Sequence, residues 1–173
     1  SSAGVSRSLK NIFDGDPTTG ALDGVLEDCI VGGLFGGLIG GGPYAIRTRV
    51  VNKAINAALR SGDPDRLLEG QVANWLRNDI VAFQKKVGPN GSIGEVDIET
   101  SRVIIEVTRA PSRKLPQVQK LLSNTDLNPL GKPVILFAPN YGKYATGDIE
   151  SMGGYVARTE QELRMVLQAV GGP

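Results

Sequence analysis

The sequence predicts an α/β fold with a mixed β-sheet. Three observations support it: a helical pattern follows residue 43, two β-patterned segments lie at 93–99 and 102–108, and strand and helix patterns then alternate. A chain of 173 residues is enough for one domain, or for one domain with a small N-terminal appendage.

The N-terminal region is glycine-rich, and its segment "IVGGLFGGLIGGGP" spans residues 30–43. This segment falls short of the roughly 20 apolar residues of a membrane-spanning helix. No Gly-Lys-Ser/Thr follows it, so it is not a phosphate-binding loop. A close-packing helix, a flexible linker and the remnant of an upstream region of a larger parent protein remain open, and the remnant is favoured. We assign residues 1–60 to a helical, glycine-rich region for delivery or linkage, and 61–173 to the main domain.

Two helices are predicted before the first strand. Residues 44–59 form an amphipathic pattern that ends at Ser61 and Gly62. Asp63 and Pro64 are typical of a helix start, and the second helix is predicted over 64–86. Its apolar stripe consists of Leu68, Val72, Trp75, Leu76, Ile80 and Phe83.

The second half of the chain alternates strands with helices. The β-patterned segments predict a hairpin around Thr100 and Ser101. The elements after it are a helix at 114–122, a buried strand at 133–139, a short helix at 143–152, a short strand at 153–158 and a final helix capped by Thr159 with Glu162 at its third position.

Two absences restrict the chemistry. The chain has no histidine and one cysteine, Cys29. Catalysis by Ser-His-Asp or Cys-His groups, internal disulfides and cysteine-based zinc sites are therefore excluded. Catalysis would depend on carboxylates, lysine, arginine, hydroxyls or a metal bound by oxygen.

Acidic residues are concentrated in the hairpin. Side chains alternate along a strand, so Glu95, Asp97 and Glu99 share one face. If the valines and isoleucines are buried on one face, Asp97 and Glu106 emerge on the other. A two-residue turn pairs Glu95 with Glu106, and a slip of two residues pairs Asp97 with Glu106; either register keeps the acids together.

The crowded acids predict a metal site at Asp97 and Glu106. Like charges opposite each other destabilise a hairpin, and Arg102 is the only nearby counter-charge in the sequence. Mg²⁺ commonly binds one or two carboxylates together with substrate phosphate oxygens. The alternative is a hairpin whose outer face is acidic and solvated. Glu69 borders the apolar stripe of its helix, so it either reaches toward the sheet or is an ordinary solvated glutamate.

A helical glutamate followed by a strand aspartate and an acid in the next strand resembles the PD-(D/E)xK, or restriction-endonuclease-like, superfamily. The phrase "GEVDIET…VIIEVTRA…KLPQVQKLL…NPLGKPVILFAPN" resembles, more narrowly, the C-terminal nuclease toxins of bacterial polymorphic and contact-dependent inhibition systems. The resemblance covers about residues 65–165. It implies a restriction-endonuclease-like sheet flanked by helices and catalytic roles for Glu69, Asp97 and Glu106.

The family's strand lysine is missing, because Thr108 occupies its position. Members of the superfamily relocate this lysine to an adjacent helix, which makes Lys114 and Lys120 the candidate catalytic lysines. With Gln117 between them, these residues run along one side of the predicted helix.

A basic stretch follows the acids and predicts contacts with the phosphate backbone. The alternative is a solvated basic helix edge. Tyr141 and Tyr144 are candidates for stacking on a base. The predicted nucleic-acid-binding residues are Thr108, Arg109, Arg113, Lys114, Gln117 and Lys120.

The resemblance implies a metal-dependent phosphodiesterase with Mg²⁺ as its cofactor, acting as a toxin on nucleic acid of competing bacteria, with tRNA favoured over DNA. The alternatives are a DNase of the same fold, a catalytically inactive interaction module, and a membrane-acting toxin driven by the glycine-rich segment. A toxin of this kind is delivered from the cell surface or by secretion within a larger parent protein, without a stable membrane span, and acts in the target cytoplasm. The expected partner is an acidic immunity protein that covers residues 109–120 or the loop 140–143.

Overall fold

The computed structural model describes residues 44–110, 114–142 and 147–171, and the predicted N-terminal glycine-rich appendage lies outside them. The predicted α/β fold with a mixed sheet flanked by helices is confirmed. The sheet has five strands in the order β1-β2-β3-β4-β5. The first three strands pair antiparallel, whereas β3, β4 and β5 pair in parallel.

The elements alternate as predicted after the hairpin. The helices are α1 (Tyr44–Ala58), α2 (Pro64–Trp75), α3 (Leu115–Ser123), α4 (Gly147–Ser151) and α5 (Glu160–Gly171). The strands are β1 (Ile80–Val87), β2 (Gly94–Thr100), β3 (Ile104–Val107), β4 (Val134–Phe137) and β5 (Tyr155–Ala157), with a 3-10 turn at Pro89–Gly91 between β1 and β2.

The sheet separates two apolar cores. One core joins the sheet to α1, α2 and α5 and contains Ile55, Val72 and Leu163. The other joins it to α3 and α4 and contains Val118, Leu121 and Ile149. All residues of β3 and β4 are buried, as expected for strands covered on both faces.

The second predicted helix, 64–86, is wrong beyond Trp75, because the chain turns and forms β1. The predicted stripe nevertheless faces the core of α1, α2 and α5. Val72, Leu76 and Phe83 are buried in that core, and Leu68, Trp75 and Ile80 are partly buried and pack against it. Apolar residues at 80 and 83 fit a helical period, but in the structure they lie on a strand that pairs with β2. Tertiary pairing therefore overrides the local period.

The hairpin turn lies one residue later than predicted. Thr100 N donates to Val103 O at 2.9 Å, so the turn residues are Ser101 and Arg102. The Thr100 hydroxyl accepts from Val103 N at 3.0 Å and holds this turn closed. The register pairs Ile98 with Ile105 and Glu99 with Ile104, which is the slipped register considered from the sequence.

Helix α1 packs on the main domain, although the sequence analysis assigned it to the N-terminal region. Its Ile55 and Ala58 are fully buried in the core. The Arg47 guanidinium donates to the carbonyl of Val81, with its Nε at 2.7 Å. Val81 lies where the β1–β2 register shifts, so α1 binds a carbonyl at an irregularity of the strand.

Two predicted helix caps are confirmed. Asp63 Oδ1 accepts from Asp65 N at 2.9 Å, and Thr159 Oγ1 accepts from Glu162 N at 3.1 Å. No helix in the described parts of the chain is long and apolar enough to cross a bilayer.

Gly70 provides a test of the α1–α2 packing. A Cβ added there would lie 2.9 Å from both Ala58 Cβ and Leu59 N. We expect Gly70→Ala to lower the free energy of unfolding by about 1–3 kcal/mol through overpacking. This loss opposes the gain of about 1 kcal/mol that alanine brings to a helix interior. The measurement is urea denaturation, with Gly62→Ala as the control because a Cβ at Gly62 meets nothing within 4 Å. A stabilised Gly70→Ala variant would contradict this packing.

Candidate active site

Asp97 and Glu106 lie side by side and share one lysine. Lys114 Nζ is 3.0 Å from Asp97 Oδ2 and 3.0 Å from Glu106 Oε2. The pair is buried, with Glu106 at 0% relative exposure and Asp97 at 4%. The sequence had suggested an exposed acidic face, and this is corrected: α3 covers that face and packs on the core that contains Val96 and Ile104.

The register of β2 and β3 brings the two acids together. Continuing the pairs Ile98–Ile105 and Glu99–Ile104 places Asp97 opposite Glu106. The side chains then replace the ladder bonds: Val107 N donates to Asp97 Oδ2 at 2.9 Å, and Asp97 N approaches Glu106 Oε1 at 3.4 Å. Each acid thus satisfies a main-chain donor of the opposite strand.

Burial and shared charge set the ionisation of this group. Burial, followed by the charge of Asp97, raises the pKa of Glu106 well above its ordinary value. Burial alone would lower the pKa of Lys114, but the charges of Asp97 and Glu106 outweigh it and raise that pKa. Lys114 therefore remains an ammonium, as a shared counter-ion must.

Lys114 immediately precedes α3 and begins a row of contacts along β2. Its side chain makes no helix-capping bond and reaches the acids instead. Gln117 Nε2 donates to Glu95 O at 3.0 Å, and Lys120 Nζ donates to Ile93 O. The predicted one-sided row is confirmed. Its members bind residues 97, 95 and 93, so it fixes the helix along the strand.

Glu69 approaches the same group from α2. Gln84 Nε2 donates to Glu69 Oε2 at 2.7 Å. Burial, followed by the charge of Asp97, raises the pKa of Glu69 to about 7. A carboxyl group with this pKa both accepts and donates protons near neutral pH.

Gln84 has an unusual backbone conformation, and its place at the site was not predicted from the sequence. Its φ of 50° lies in the left-handed region, which costs free energy for a residue other than glycine. Gln84 stands opposite Asp97, between the pairs Phe83–Ile98 and Lys85–Val96. Val96 and Ile98 pack into the two opposite cores, although residues two apart in a regular strand share a face. Strand β2 is therefore twisted at Asp97, where it pairs with β1. No pattern in the sequence indicated this twist.

The third acid of the β2 face has its own counter-ions. Glu99 Oε2 binds Lys85 Nζ at 3.0 Å, and Glu99 Oε1 binds Lys132 Nζ at 2.6 Å. Burial would raise the pKa of Glu99, but these lysines outweigh it and lower that pKa. The expectation of a cation-poor face is therefore wrong. The sequence did not reveal these lysines, because they come from β1 and from the loop before β4.

The remaining predicted site residues do not join the acid pair. Lys120 is exposed and bound to Ile93. Thr108 is buried, and its hydroxyl accepts from Ala110 N at 3.0 Å. Tyr141 is buried in the core under α3 and α4. Arg109 is exposed at the end of β3. Arg113, Lys143 and Tyr144 lie outside the described residues.

The donor chemistry of Asp97 and Glu106 fits a hard divalent cation, because carboxylate oxygens are the ligands that Mg²⁺ prefers. Two carboxylates suffice when substrate phosphate supplies further oxygens. Across the described ranges, no group of three or more His, Cys, Asp or Glu side chains is arranged to hold a metal ion. A cation at this pair would compete with the Lys114 ammonium for Asp97 Oδ2 and Glu106 Oε2.

Comparison of the chain with protein-family models, with curated proteins and with solved structures found no match. The function must therefore be argued from the site.

The raised pKa of Glu69 predicts a pH-dependent stability. The folded pKa of about 7 exceeds the ordinary value of 4.5, so the folded state binds more protons between these limits. Stability from this residue therefore falls as pH rises from about 4.5 to 7. We expect Glu69→Gln to gain melting temperature relative to the wild type as pH increases from 5 to 8, measured by calorimetry in chelator.

Glu150→Gln is the control: Glu150 is exposed on α4, so this variant shows how the melting temperature changes with pH when a surface carboxylate is lost. A difference between Glu69→Gln and the wild type that does not change with pH would contradict the raised pKa.

Proposed function

We propose that this chain is a metal-dependent nuclease toxin domain with a restriction-endonuclease-like fold, acting on nucleic acid with tRNA as the favoured substrate. The observation that carries the proposal is the buried group of Asp97, Glu106 and Lys114 on two paired strands and the start of the next helix. The contact of Lys114 with both acids supports its role as the relocated lysine, in place of the strand position held by Thr108.

The acids would hold the cation. In this proposal Asp97 and Glu106 bind Mg²⁺, which when bound supplies Lewis-acid polarisation and neutralises charge at the scissile phosphate. Val107 N holds the Asp97 carboxylate at 2.9 Å, so that ligand is oriented by the main chain of β3. Oriented ligands keep their geometry without reorganisation during the reaction.

In this proposal Lys114 stabilises negative charge and Glu69 transfers protons. A permanently protonated Lys114 stabilises negative charge that develops on the phosphate. Glu69, with its pKa near 7, is suited to accept a proton from the attacking group or to return one to the leaving oxygen. Gln84 Nε2 binds Glu69 Oε2 and holds that carboxyl group in place.

A catalytically inactive interaction module is the second candidate. One observation favours it: among the described residues, no buried side-chain nitrogen or oxygen lacks a hydrogen-bond partner. Lys114 already compensates the acid pair, so the group is also consistent with a purely structural role. A DNase of the same fold differs from the favoured function only in substrate.

Cleavage assays separate these candidates. Purified protein is incubated with total RNA and with plasmid, each with Mg²⁺ and with chelator. We expect RNA cleavage that requires Mg²⁺. Plasmid cleavage would indicate the DNase, and cleavage of neither would favour the interaction module.

The relocated lysine is tested by a matched pair of variants. Lys114→Met should lower the cleavage rate about 10²–10³-fold, the usual loss when a stabilising donor is removed. Lys120→Met, six residues later on the same side of α3, should retain nearly the wild-type rate because Lys120 binds only a main-chain carbonyl. Circular dichroism checks that both variants are folded. Full activity of Lys114→Met would refute the assignment.

The toxin role is tested in cells. Expression of the full chain in a bacterial cytoplasm should arrest growth. Asp97→Asn should relieve the arrest, because the amide is a poorer ligand for Mg²⁺ while it still offers an oxygen to Val107 N. Co-expression of an acidic immunity protein should also restore growth, and its association should slow with salt through screening. Unimpaired growth with the wild-type chain alone would reject the toxin role.

A further inference from the structure

A cleft lies between the first turns of α2 and the loops that follow β3 and β4. It has a volume of about 390 Å³, within the range of small-molecule sites. Its lining consists of Pro64, Leu67, Leu68, Gln71, Arg109, Pro139 and Asn140.

Two residues of the cleft lining, Leu68 and Arg109, are close in sequence to the acids Glu69 and Glu106. On the α2 wall, Leu68 immediately precedes Glu69. On the β3 wall, Arg109 follows Glu106 by three residues, a chain distance of at most about 10 Å. At this distance, a strand of nucleic acid whose phosphate lies at Asp97 and Glu106 can place a neighbouring nucleotide at the cleft.

The lining is divided between apolar and polar groups. Pro64, Leu67, Leu68 and Pro139 offer apolar contact to the face of a ring. Gln71 and Asn140 carry amides, which provide both a donor and an acceptor for a base edge. Asn140 Nδ2 donates to Arg109 O at 3.3 Å and ties the two loops together at the cleft.

Arg109 provides the positive charge. It is exposed, and within the described residues no carboxylate pairs with its guanidinium. An exposed guanidinium without a carboxylate partner is suited to bind a phosphate. The apolar and amide side chains of the lining are suited to contact a base. An apolar protein segment would use the leucines and prolines but would leave Arg109 without a counter-charge.

We propose that this cleft is a subsite for one unpaired nucleotide next to the scissile phosphate, with its base among Leu67, Leu68 and the two prolines and its phosphate on Arg109. The inference rests on the proposed nuclease function. It adds that the substrate is single-stranded, or has an unstacked base, at the position of cleavage.

The test measures binding of fluorescein-labelled 12-mers to the full chain by anisotropy, in chelator, with gels to confirm that the oligonucleotides stay intact. Single-stranded RNA, single-stranded DNA and blunt duplex DNA are compared. Leu67→Asn should weaken single-strand binding about fivefold, which corresponds to the lower end of the loss for removing an aromatic stacking partner, because an aliphatic side chain covers less of the base. It should leave duplex binding and the salt dependence unchanged.

Arg109→Gln should instead reduce the slope of log affinity against log salt by about 0.7, as expected for one lost phosphate contact on a single strand. Arg66→Gln, an exposed arginine on α2 outside the cleft lining, and Leu130→Asn, a leucine with 76% exposure, are the controls and should bind like the wild type. Equal melting temperatures show that Leu67→Asn is folded, and the exposed Arg109 provides a second test independent of packing.

The outcomes separate the subsite from the proposed function. Cleavage by the wild type combined with unchanged binding by Leu67→Asn and Arg109→Gln would overturn the subsite and leave the nuclease function standing. Single-strand binding that is weakened by Leu67→Asn and Arg109→Gln, without any cleavage by the wild type, would support the subsite and reject the nuclease function. Equal losses for single strands and duplex, or no binding by the wild type, would also overturn the subsite. The RNA and DNA single strands then distinguish a ribonucleotide from a deoxyribonucleotide.

Discussion

The ammonium of Lys114, held between Asp97 and Glu106, is the interaction on which the centre of this fold depends. It joins β2, β3 and the start of α3 in one contact. Glu106 has no exposed surface, and a buried charge without a partner is strongly destabilising. Because one lysine serves two carboxylates, the docking of α3 and the pairing of β2 with β3 stabilise each other.

The buried charges of this group stabilise the fold less than their short contacts suggest. A buried ion pair is often no more stabilising than apolar side chains of similar volume, and apolar residues surround this one on both strands. Gln84 further lowers the stability of the fold, because its backbone is in the left-handed region opposite Asp97. Its side chain binds Glu69. Ionisable groups and backbone strain kept together in this way are typical of sites that act on a ligand.

The sequence predicted those parts of the structure that depend on local chemistry. The caps at Asp63 and Thr159, the buried strand that became β4 and the one-sided row on α3 all follow from neighbouring residues. β1 was missed because Ile80 and Phe83 continue a helical period, and only pairing with β2 distinguishes the two conformations. The acids were found by strand alternation, and Lys114 was named from the resemblance. The lysines of Glu99 were missed, because Lys85 and Lys132 approach it from separate elements.

The number of lysine partners differs between the two acids Glu99 and Asp97 of β2. Glu99 has two lysines for a single carboxylate, and they lower its pKa despite its burial. Two residues away, one lysine is shared by Asp97 and Glu106 with Glu69 nearby, and burial followed by the charge of Asp97 raises the pKa values of Glu106 and Glu69. The Glu99 end of β2 is therefore neutralised within the fold and serves to fix the hairpin. At the Asp97 end a single ammonium, that of Lys114, contacts both Asp97 and Glu106. The distribution of lysines thus distinguishes Asp97 from Glu99, although the two acids lie only two residues apart on β2.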